Sequence, residues 1–259
     1  MTPAPLPEID PQRLAPPAAL RPALQSLAGL DLDIALDDVL APLQTDAAWT
    51  DALLTETQSP TLQTLREQLD PGMLRNLVLA TGLTRLLPWP AGRDNQAFWR
   101  FSQNTAAAAH WLAGVAEEDP VQAHACGLLH ALGGWVRLQL GGGPHPDGRD
   151  AERAAALLRA WGVGEHLAHA AAHVPHPTEG GADATLSCLV HVASWCAAQA
   201  EPQHLNPAPC PQAVGQRIGL LFTWDAQAGT LVGLDDVLMP PMPPLPTLRA
   251  RLAQPTPTW

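Results

Sequence analysis

The stretch "GLLHALGG" (residues 127–134) decides how this chain is to be read, because it sets one imidazole, His130, in an apolar run and follows it with Ala131 where an acid would make a ligand pair. Upstream lies "DPVQAHAC" (119–126), with Asp119 and Pro120 placed as a helix start; downstream lies "WVRLQL" (135–140), closed by three glycines. The pattern predicts a single buried helix across residues 119–140 with His130 inside it. A buried imidazole left without partners costs about 1–3 kcal/mol, so a histidine there is expected to find a hydrogen bond in a polar slot of the packed helix.

Further out, helical patterning runs through almost the whole chain. "LDDVLAPL", "AAWTDALLTET", "TLQTLREQL" and "DPGMLRNLVLATGLTRLLP" fill residues 36–88, the last with Asp70 as N-cap and an expected end near Gly82. "PWPAGRDNQ" (88–96) is a loop, "AFWRFSQNTAAAAHWLAGVA" (97–116) a long helix, and "GGGPHPDGRD" (141–150) a second loop. Three more helices follow in "AERAAALLRAWGV", "GEHLAHAAAHV" and "ATLSCLVHVASWCAAQA". After Pro202 the pattern changes. "RIGLLFTWDAQAGTLVGL" fits either a helix end and turn or a short hairpin about "DAQAG", and in the proline-rich tail only "TLRARLAQ" is a helical candidate. The resulting division is a proline-rich segment at 1–22, extended or poorly ordered, a helical domain at 23–202 and a C-terminal extension at 203–259.

Composition narrows the function classes. The chain has 259 residues, 46% hydrophobic and 15% charged, with a net charge of −11. That acidity opposes generic binding to nucleic acid or anionic membrane. All 14 basic residues are arginine and tyrosine is absent, which excludes Schiff-base and phosphate-loop lysines and catalytic tyrosines. The bias fits GC-rich coding and a bacterial source. Cys126, Cys188, Cys196 and Cys210 show no C-x-x-C spacing, which points to a reducing compartment. Without an apolar leader or a spanning stretch, the expected location is the cytoplasm.

Four segments, "FWRFSQNTAAAAHWLAGV", "QAHACGLLHALGGWVRLQL", "LLRAWGVGEHLAHAAAHVPHP" and "LSCLVHVASWCAAQ", together resemble the HDOD family, a bacterial regulatory offshoot of the HD metal-dependent phosphohydrolases. With "TDAAWTDALLTETQSPTLQTLREQLDPGMLRNLVLATGL" standing for that family's N-terminal helical half, the resemblance covers roughly residues 40–200. It implies an all-α, HD-like helical bundle of about ten helices in two halves packed as one unit. In catalytic HD proteins a first His, an adjacent His-Asp pair and a final Asp hold the metal that activates water. The resemblance sets Phe101 at the first His, His130 and Ala131 at the His-Asp pair, and Ser194 at the last Asp. One ligand of four survives. The family's adjacent His-His pair is replaced by "HVPHP", with His173 and His176 separated.

The expectation is therefore a non-catalytic regulatory protein with no metal and no cofactor, working through contacts with protein partners. A small ligand could still be sensed in the vestigial cavity, with Arg100, His130, Arg137, His173 and His176 as candidate lining. The alternative is a divergent phosphohydrolase whose metal site is rebuilt with His173 or His176. Other clusters have blander readings. His166, His169 and His173 form the polar flank of a helix whose core face is Leu167, Ala170, Ala171 and Val174. Cys188, His191 and Cys196 share a helix, with Cys196 about 80° round from Cys188, too far for a closed metal site on one helix. His110 is expected at a surface or boundary, and His124, six residues from His130, on a different face from it.

Overall fold

A computed structural model of the chain describes residues 14–28, 34–89, 95–143, 148–179, 181, 184–200, 210–235 and 239–252. Most of the segment expected to be extended at the N-terminus, residues 1–13, lies outside these, as do the centres of the two expected loops (90–94 and 144–147) and the tail beyond 252.

The N-terminal half is built from α1 (Arg21–Gln25), α2 (Leu36–Thr45), α3 (Ala47–Thr57), α4 (Leu62–Gln68) and α5 (Pro71–Leu86). Residues 18–22 are helical, not extended. A 3₁₀ turn at Ala18–Leu20 leads into α1, and Leu20 and Leu24 are fully buried. Leu14 is tied down by its carbonyl, which accepts from the Trp161 indole at 2.6 Å. Helix α5 does not stop at Gly82 either. That glycine sits mid-helix with φ in the ordinary range, and a Cβ there would lie 2.4 Å from Leu20 and 2.5 Å from Trp49, so its lack of a side chain serves packing.

Helices α6 (Gln96–Val115), α7 (Pro120–Leu129), α8 (Leu132–Gln139), α9 (Asp150–Ala160), α10 (Glu165–His173) and α11 (Ala184–Ala200) form the second half, with α6 at its centre against α7 and α11. The carboxylates of Asp70 and Asp119 start α5 and α7 in the same way: each accepts two backbone N–H groups at 2.9 and 3.1 Å, with proline next in sequence. Buried side chains of both halves merge into one core that runs from Leu20 to Leu252. The all-α expectation holds. The exception is a hairpin, β1 (Phe222–Asp225) with β2 (Thr230–Gly233), which resolves the ambiguity after Pro202 in favour of strands. It stands between α12 (Gln212–Arg217) and α13 (Leu245–Leu252). Trp224 of the hairpin meets Trp195 of α11 edge-on at 5.1 Å, and α13 packs back against α3 and α6.

The predicted single helix over 119–140 is two. α7 ends at Leu129, His130 and Ala131 form the joint, and α8 begins at Leu132. The cause is downstream in space, at α9: a Cβ on Gly133 would lie 1.6 Å from the Asp150 carbonyl oxygen. The chain must bend at 130–131 to bring the start of α8 onto the start of α9, and only glycine permits that approach.

Candidate functional site

Helices α6 and α7 run antiparallel and very close, because Gly127 lets the Ala106 backbone approach to 2.8 Å of where a Cβ would stand. Two aromatic pairs bracket this crossing. At one end Phe101 faces His130, ring centroids 5.8 Å apart. At the other His110 faces His124 edge-on at 6.3 Å.

The Phe101–His130 end holds two of the positions that the resemblance sets against the metal ligands of catalytic HD proteins. His130, at the joint between α7 and α8, is half-buried, and its Nδ1 meets the Gly127 carbonyl at 2.7 Å. This is the polar slot expected for it. Burial pushes its pKa down to about 4, against the opposing effect of that backbone bond, so the ring is neutral at physiological pH. The Phe101 ring offers no lone pair to a cation. The Ala131 methyl sits half-buried at the joint, and the Ser194 hydroxyl on α11 donates to the His191 carbonyl of its own helix at 2.9 Å.

The other proposed pocket residues divide. Arg137 is drawn into a separate ion cluster: its Nε donates to both Asp150 oxygens at 3.0 and 3.1 Å, and it also bonds the Gly143 carbonyl. Arg153 shares Asp150 from within α9 at 3.0 Å. That cluster clamps the α8–α9 contact, so Arg137 serves the fold. Arg100 is exposed on α6. His173 turns its Nδ1 onto the His169 carbonyl at 2.9 Å and stacks on the His169 ring at 4.2 Å, while His176 is exposed beyond the end of α10. His166 is held by Gln122 at 2.8 Å. Among the described residues, no three His, Cys, Asp or Glu side chains are grouped to hold a metal ion.

Two features were not legible as site elements. His191 ties α11 to the end of α10 through its Nδ1 and the Val174 carbonyl at 2.7 Å; burial lowers its pKa, and nearby His176 adds to the effect. The signal was its position one turn before Ser194. His110 is no surface residue: it and His124 are 8% and 3% exposed. Burial lowers their pKa values to about 4 and about 3. His110 belongs inside because its helix carries alanines at 106–109, which let α7 close over it.

Residues 71–141 match the family model for the HDOD domain. Over that stretch the chain resembles the HDOD domain. The match takes in α5 to α8, and with them Arg100, Phe101, His130, Ala131 and Arg137; His173, His176 and Ser194 lie past its end. A solved protein from Shewanella amazonensis SB2B, provisionally described as a phosphohydrolase, has a similar fold, with a TM-score of 0.63 over 94% of this chain and 91% of its own at 19% identity. No curated protein matches the chain. The matched stretch thus lies between α1–α4 and α9–α13 in one continuous core, and no described helix is long and apolar enough to cross a membrane.

Proposed function

We propose that this HDOD-domain protein is a non-catalytic regulator that acts through contacts with protein partners. The observation that carries this is the chemistry of the joint at 130–131. The positions that the family resemblance assigns to metal ligands present a phenyl ring, one neutral imidazole bonded to its own helix, a methyl group and a hydroxyl spent on a backbone carbonyl. Such a set has no carboxylate to hold a dication or to share a proton with an activated water. The acidic surface, at a net charge of −11, favours partners with complementary basic faces over nucleic acid.

A second reading, a divergent phosphohydrolase, draws on the provisional description of the S. amazonensis protein and on four histidines: His130 at the joint, His173 and His176 at and just past the end of α10, and His191 in the middle of α11, bonded to the Val174 carbonyl. One experiment separates the two. The protein, purified without chelator, is assayed for bound Mn, Fe and Zn and for hydrolysis of phosphomonoesters, phosphodiesters and cyclic dinucleotides with added Mn²⁺. A regulator gives neither metal nor turnover, whereas the triple variant Phe101→His, Ala131→Asp, Ser194→Asp gains Mn²⁺ binding. Turnover by the native chain that disappears in His130→Ala would establish the hydrolase instead.

A further inference from the structure

The Gly127 carbonyl stands near the end of α7, and in an unbroken helix it would accept the N–H of Ala131, four residues on. It does not. The His130 side chain takes it instead, with the ring Nδ1 2.7 Å from that oxygen. A carbonyl oxygen only accepts, so Nδ1 carries the ring proton and Nε2 is the bare nitrogen. The backbone agrees with this exchange. The last regular bond of α7 runs from the His130 N–H to the Cys126 carbonyl at 2.9 Å, and the Gly134 N–H then closes a tighter turn on the Ala131 carbonyl at 2.9 Å. Among the described residues the Ala131 N–H bonds no backbone carbonyl. Yet His130 (φ −58°, ψ −31°) and Ala131 (φ −78°, ψ −8°) both stay in the helical region. A small rotation therefore separates this joint from a continuous helix. The Phe101 ring packs beside the imidazole at 5.8 Å.

We propose that His130 is the residue that ends α7, and that the 130–131 joint is a hydrogen-bond switch in which the Gly127 carbonyl is held either by the imidazole or by the Ala131 N–H. Both arrangements give that oxygen one donor, so hydrogen bonding alone chooses weakly between them. Packing makes the choice. The bend sets Gly133 against the Asp150 carbonyl, where a Cβ would lie 1.6 Å away, and Arg137 Nε donates to the Asp150 carboxylate at 3.0 Å. Through these contacts α8 and the start of α9 move as a pair. Straightening the joint turns both relative to α6 and α7, which makes 130–131 a hinge of the element-terminal kind. The His130 ring is half-buried and within reach of a partner. A partner that engages it shifts the joint by the difference in its affinity for the two arrangements. The switch is a property of the joint and operates in a regulator and in a hydrolase alike.

The test is NMR of the intact, isotope-labelled chain at neutral pH. Long-range proton–nitrogen correlations report which ring nitrogen of His130 is protonated, its signals being those lost in His130→Asn. A protonated Nδ1 and a bare Nε2 are expected, and the Ala131 amide should exchange with solvent about tenfold or more faster than the His130 amide. His130→Leu offers no side-chain donor to the Gly127 carbonyl. In that variant the Ala131 N–H takes the oxygen, so its exchange slows roughly tenfold or more and amide shifts move along α8 and the first turn of α9. His130→Asn sets a side-chain N–H where Nδ1 stands and is expected to keep the native exchange pattern. Should His130→Leu fail to fold, the ring tautomer and the Ala131 exchange rate of the native chain decide by themselves. A protonated Nε2 with a bare Nδ1, an Ala131 amide as protected as that of His130, or an Ala131 rate unchanged in a folded His130→Leu would overturn the assignment.

Discussion

His130 and His124 stand on one helix, six residues apart, and the packing treats them in opposite ways. His130 is half-buried at the joint that ends α7, with its Nδ1 on the Gly127 carbonyl and the Phe101 ring beside it. His124 is deeper, with an Nδ1 that finds no partner and a second buried histidine as its neighbour. The histidine in the family's signature is therefore the satisfied one, and the histidine outside any signature carries the unspent hydrogen-bonding capacity. A retained motif residue can be structural, and an unsatisfied polar group can lie where no motif points.

The difference can be broken most violently at the joint that makes it. Gly133→Ala sets a methyl into the Asp150 carbonyl, and since that atom is backbone nothing can swing away. A loss on the order of 3 kcal/mol or more in urea unfolding is expected, or failure to fold. Gly134→Ala, where the nearest atom is the flexible Arg137 guanidinium at 3.6 Å, is expected to cost far less.

Acid sharpens the same contrast. His110, His124 and His130 all have folded pKa values depressed below the ordinary 6.5, to about 4, 3 and 4, by burial. Above pH 6.5 both folded and unfolded chains hold them neutral, and they contribute no pH dependence. As pH falls below 6.5 the unfolded chain takes up protons that the folded chain refuses, so stability declines continuously toward pH 4, where the folded chain begins to accept them. The combined loss between pH 7 and pH 4 is on the order of several kcal/mol, read from denaturant midpoints at stepped pH. His124→Leu and His130→Leu should each flatten that slope, and an unchanged slope in either would mean that its ring is not shielded from protonation by burial.

At neutral pH the smallest effect is the most discriminating. His130→Leu removes one hydrogen bond and frees a carbonyl at the end of α7, at an expected cost of about 1 kcal/mol. His124→Leu removes a buried nitrogen that has no partner to lose, and it should be neutral or slightly stabilising in the same unfolding assay. A larger loss at His124 than at His130 would mean that His124 is bonded within the fold.

Much of the architecture was written locally. Apolar residues at helical spacing, Asp-Pro starts at 70–71 and 119–120, and the alanine run at 106–109 fixed where α5, α6 and α7 lie. The substitutions at Phe101, Ala131 and Ser194 were visible from the resemblance before any geometry. What stayed hidden depends on residues far apart in the chain. Gly82 looked like a helix end because a glycine's local meaning is a stop; Leu20 and Trp49, contributed by other elements, make it a contact point. The break at 130–131 was invisible for the same reason, being imposed by Asp150. Arg137 read as a possible ligand group until its carboxylate partner appeared 13 residues on.

The sequence by itself determined the class of fold and the side-chain types that stand at Phe101, His130, Ala131 and Ser194, since helix periodicity and side-chain donor types are properties of short stretches. Only the tertiary structure decided which histidines are satisfied, where the long helix breaks, and that Arg249 of α13 pairs with Glu56 of α3. Those are matters of packing between segments as many as 193 residues apart, and no local pattern encodes a distance that the rest of the chain must supply.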